Sequence, residues 1–142
     1  AIGQLPEETS SVMYRGRAAE RLVSRAMLYP WEQFTECPHE NLLEPGRVHV
    51  DSYGNLHICQ GISIGNLLRL PLKQICENYD PFSHPILRAL IDNGPVGLIK
   101  SFHLPHEERY ADACHLCYTA RLNLRDRFPN LLLPDQMYGV KQ

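Results

Sequence analysis

Four of the five cysteines stand where folding can gather their sulfurs at one point: Cys37, Cys59, Cys114 and Cys117. Cys114-His115-Leu116-Cys117 is a Cys-x-x-Cys. At a helix start, that spacing holds two sulfurs close together. The first turn's unpaired N–H groups and the helix dipole favour thiolate there. Cys59 closes the run Asp51-Ser52-Tyr53-Gly54-Asn55-Leu56-His57-Ile58-Cys59, in which a tight turn returns the chain and presents a third sulfur. Cys37, before Pro38 in irregular chain, can supply the fourth. Four soft sulfurs select zinc or an iron–sulfur cluster and disfavour magnesium or calcium. A redox dithiol would carry the same Cys-x-x-Cys, but it usually follows a strand in a βαβ unit, and no such pattern surrounds this one.

Cys76 falls on the expected inner face of a helix and reads as a core cysteine. His57 lies two residues before Cys59, so on a regular strand it shares that face. It can replace Cys37 as the fourth ligand or lie just behind the ligands. His115 should point away from the face shared by its flanking cysteines. His39, His49, His84, His103 and His106 read as surface or hydrogen-bonded residues. Glu107-Glu108 reads as a solvated acidic turn. Ser52 and Ser63 read as turn residues, and no phosphate loop of the Gly-x4-Gly-Lys type occurs in the sequence.

The 142 residues are enough for one domain with a core, and 44% are hydrophobic, well away from disorder. A net charge of −2 gives no basic field to hold nucleic acid or anionic lipid. Apolar runs such as Leu131-Leu132-Leu133 are too short to cross a bilayer. No apolar h-region opens the chain, and the odd, uneven cysteines do not resemble a secreted disulfide scaffold. The expected compartment is the cytoplasm, with reduced thiols. The chain begins at Ala1 without an initiator Met, and the expectation is a piece of a longer protein.

Periodicity and turn chemistry predict an α+β fold: a small β-hairpin followed by several helices around a four-cysteine metal or cluster site. Residues 1–30 hold a lead-in and a helix from Arg17 to about Met27, with Thr9 and Ser10 as caps. Its arginines (Arg15, Arg17, Arg21, Arg25) read as a solvated face. Arg47–Asp51 and Leu56–Cys59 are the hairpin strands, and Gly61–Asn66 is a glycine-bracketed segment that lets the backbone pass close to something. Helices are expected over Pro71–Asn78, Pro85–Asp92, Pro95 to about Lys100, and Asp112 to about Arg127. Leu104–Tyr110 reads as loop, and 129–142 as a tail broken by Pro134.

The order Cys37, Gly54-x4-Cys59, Gly65-Asn66 and Cys114-x-x-Cys117 resembles the auxiliary-cluster extension of radical SAM enzymes, the SPASM domain or its shortened twitch form. The likeness covers about Cys37 to Tyr118, within a domain of 31–128. Arg15-Gly16-Arg17-Ala18 resembles a short element that often precedes the extension. No cysteine follows Cys117, which matches the single-cluster twitch form. The Cys-x3-Cys-x2-Cys of the catalytic core is absent, so S-adenosylmethionine would bind only in a core that this chain lacks. The resemblance implies that Cys37, Cys59, Cys114 and Cys117 hold one [4Fe–4S] cluster, serving electron transfer or structure. Full ligation leaves no open iron. Arg121 and Arg125 would offset part of a cluster charge of roughly −2, although a solvated helix face explains them as well. The implied partner is the radical SAM barrel of the same parent chain, with a homodimer of the isolated piece as the other partner considered. A zinc-stabilised four-cysteine interaction module is the alternative.

Overall fold

The computed structural model describes residues 12–140. Thr9 and Ser10, expected as caps, lie outside them.

The hairpin forms where the turn chemistry stands. Asp51 Oδ1 accepts the backbone N–H groups of Tyr53 and Asn55 at 2.8 and 3.0 Å, which fixes the turn between β2 (His49–Val50) and β3 (Asn55–Cys59). The glycine-bracketed segment is a strand in its own right. β4 (Ile62–Asn66) pairs antiparallel with β3, giving the order β2-β3-β4. Asn66 clamps the turn from this third strand, donating to Asn55 Oδ1 at 2.8 Å and to the Tyr53 carbonyl at 3.0 Å.

The first helix is shorter than expected. α1 spans Arg17–Arg21, and a 3₁₀ turn at Val23–Arg25 follows. It buries no residue, so no packed face extends it to Met27. The chain then enters β1 (Tyr29–Pro30), which pairs with β5 (Arg109–Tyr110), the latter within the stretch expected as loop. Two-residue strands carry no period to read.

α2 spans Leu72–Glu77, with Pro71 just outside it. It turns Ile75 inward and leaves Cys76 exposed, so Cys76 is not the core residue expected. α3 runs Pro85–Phe102 as two halves joined at Asn93 and Gly94, whose backbone leaves helical geometry there. Gly94 has φ +55, and a Cβ at this position would collide with the backbone of Thr35 and Glu36. The kink therefore seats the 34–37 segment, and the Val96 N–H donates to the Phe34 carbonyl at 3.2 Å. α4 spans Ala113–Leu124. Its N-cap is Asp112, whose Oδ1 accepts the His115 N–H at 2.7 Å.

The core lies where β3 and β4 meet α3 and α4, with Ile58, Ile62, Leu87, Leu98, Leu116 and Leu124 fully or almost fully buried. Each such side chain contributes about 1.5–3 kcal/mol on burial. Leu132 and Tyr138 of the last segment join this core. Leu132 bridges to Ile62, and the Ser63 N–H donates to the Leu131 carbonyl at 2.8 Å.

Candidate functional site

Cys37, Cys59, Cys114 and Cys117 line one small cavity of about 20 Å³, together with Arg15, Pro38, Leu90, Pro95, Ala113 and Arg121. Distinct parts of the fold bring each sulfur there. The α3 kink holds the loop of Cys37. β3 ends at Cys59. The capped first turn of α4 presents Cys114 and Cys117. All four are free thiols.

His57 is not among the lining residues. The pairing of β3 with β4 shifts register between His57 and Cys59, which breaks the two-residue alternation that would have put both on one face. His57 is instead fully buried, and its Nε2 pairs with Asp51 Oδ2 at 2.9 Å. Its Nδ1 is buried without a partner among the described residues. Cys37, and not His57, is therefore the fourth residue at the cavity. His115 faces elsewhere, accepting the Ala111 N–H at Nδ1 and packing edge-on to Tyr110. His84 caps α3, and His49, His103 and His106 lie at the surface.

Two guanidinium groups reach the cavity. Arg15 Nη1 donates to Cys59 Sγ at 3.4 Å. The two residues are 44 apart in sequence, and no local signal connects them. Arg121 follows Cys117 by one helical turn and is only 2% exposed. It donates from Nε to the Cys117 carbonyl at 3.3 Å, and from Nη1 to the Gln60 carbonyl at 2.7 Å and Tyr138 Oη at 3.2 Å. Among the described residues, no carboxylate lies within ion-pair distance of it. Arg125 pairs instead with Asp135, away from the sulfurs.

Burial pushes the Cys114 thiol up to about 12, with Asp112 and the neighbouring thiols adding to the effect and Arg15 opposing it. Burial pushes Cys117 up to about 11 against the pull of Arg121. Burial opposes the charge on Arg121, but Tyr138 and the thiols of Cys117, Cys59 and Cys114 hold its pKa above the ordinary arginine value. Burial thus favours the protonated form of Cys114 and Cys117 beside a buried cation, and a metal bound there would displace those protons. Among the described residues, no three His, Cys, Asp or Glu side chains are grouped closely enough to hold a single metal ion.

Compared with protein-family models, curated proteins and solved structures, the chain matches none. Among the described residues, no helix is long and apolar enough to cross a membrane.

Proposed function

We propose that this chain is an auxiliary [4Fe–4S]-binding domain of the radical SAM type, supporting electron transfer or structure and not catalytic alone. One observation carries the reading: four free thiols line a single cavity beside a buried guanidinium that has no carboxylate partner among the described residues. An isolated buried cation is costly, and four thiolates around iron supply the missing negative charge. Cys37, Cys59, Cys114 and Cys117 would hold the cluster, which, when bound, would take up and pass on single electrons. Arg121 would balance its charge from inside, and Arg15 would do so from the mouth through Cys59. S-adenosylmethionine would bind in a barrel domain of the same parent chain.

The spread of the sulfurs favours a cluster over one zinc ion, whose four thiolates must crowd at about 2.3 Å from a single centre. The cavity is also smaller than a four-iron cage. Loading would therefore move the Cys37-Pro38 wall outward, a side built from irregular chain.

Anaerobic iron and sulfide determination, beside zinc analysis, tests the assignment. The expected result is about four irons and four sulfides per chain, with brown absorbance near 400 nm that Cys114→Ser diminishes. One zinc per chain and a colourless protein would replace the reading with the zinc module. No metal under reconstitution, with folding intact, would remove both.

A further inference from the structure

The largest concavity among those described lies outside the cysteine cavity and shares one wall with it. Its volume is about 740 Å³, within the range of small-molecule sites. Arg15, Arg17 and Arg21 line it, with the amides of Gln60 and Gln136 and the side chain of Glu20. Gly16, at φ +55, turns the chain so that Arg15 reaches Cys59 while Arg17 begins α1. None of the three arginines forms an ion pair among the described residues. Glu20 accepts a hydrogen bond from Tyr118 Oη at 3.3 Å and offsets one charge, leaving an excess of two positive charges among the described residues that line the groove. The arginines were expected to form a solvated face. Here they border a concave site.

We propose that this groove binds a small molecule carrying a doubly charged oxyanion, either a phosphate group or a pair of carboxylates. Guanidinium groups pair with both in bidentate fashion, and glutamine amides donate to the remaining oxygens. Met137, Val140 and Ala18 provide an apolar floor for a short carbon skeleton. Among the described residues, no aromatic side chain lines the groove, which removes the stacking surface that a nucleobase or single strand would need. Arg15 belongs to both walls, so the bound anion lies next to the sulfur site. The groove does not depend on a metal being bound.

Isothermal titration calorimetry of the full chain, with inorganic phosphate in one arm and succinate in the other, tests this proposal. Saturable one-site binding in either arm is expected, weakening as salt is raised. Arg17→Ala/Arg21→Ala should weaken it about tenfold or more. Both side chains are exposed, so folding should survive, and a melting curve checks that it does. Glu20→Gln should tighten binding by removing the opposing charge. A phosphate-only response identifies a phosphate ester, and a succinate-only response a dicarboxylate. No saturation in either arm, or binding unchanged in the double variant, overturns the proposal. Iron content measured on the same sample keeps the two readings apart: anion binding without iron uptake sinks only the cluster, and iron uptake without anion binding sinks only the groove.

Discussion

Arg121 carries its charge in the core against three neutral acceptors. Arg121→Met would leave the Gln60 and Cys117 carbonyls without this donor, at about 1–3 kcal/mol for each left unsatisfied. It would also strip the charge balance from the proposed cluster. Reconstituted iron should fall severalfold in the Met variant and recover in part with Arg121→Lys, which keeps the charge but loses the planar fork. Iron per chain and urea midpoints on the three proteins check this; a Met variant with full iron and an unchanged midpoint contradicts it. The spacing of Arg121 from Cys117 could be read from the chain, since residues four apart share a helix face. Its burial could not, because that depends on Tyr138 and Gln60 arriving from elsewhere.

The elements that could be read were those with punctuation of their own. Pro71, Pro85 and Pro95 mark the starts of α2 and of both halves of α3, and Asp112 caps α4. β1 and β5 could not be read, since each exists only through the other. The start of α3 carries a pH-dependent contact. His84 Nδ1 accepts the Leu87 N–H at 3.3 Å, while Nε2 lies 3.1 Å from the Ser63 carbonyl, so the neutral ring satisfies both. Burial lowers the pKa of His84 despite the Ser63 carbonyl. The contribution of neutral His84 is thus complete above about pH 6.5 and is lost as pH falls toward its lower folded value, because the unfolded chain takes up the proton first. Burial also lowers the pKa of His115, which adds a slope of the same sign. His84→Asn retains a cap acceptor without the titration. Urea midpoints should drop between pH 7.5 and 5 in the wild type and drop less in His84→Asn; equal drops would exclude this role for His84.

At the scale of the whole molecule, the last segment is part of the core. Leu132 is fully buried against β4, and Tyr138 Oη donates to the Gly61 carbonyl at 2.7 Å while accepting from Arg121. Leu132→Ala should cost about 2–5 kcal/mol and lower the midpoint of a single cooperative transition. Loss confined to local fraying, with the main midpoint unmoved, would show that the segment is merely docked. Pro134 and the lack of periodicity hid this packing, because a segment that buries isolated residues from irregular chain leaves no repeat to read. The sequence alone determined the mixed helix-and-sheet character, the Asp51–Asn55 turn, the proline-led helices and the four cysteines worth watching, since each rests on contacts within a few residues. Only the tertiary structure decided that β4 extends the hairpin, that a register shift turns His57 toward Asp51, and that Arg15 and Arg121 come to the sulfurs. Those outcomes depend on surfaces from distant stretches excluding water together, and no local pattern encodes them.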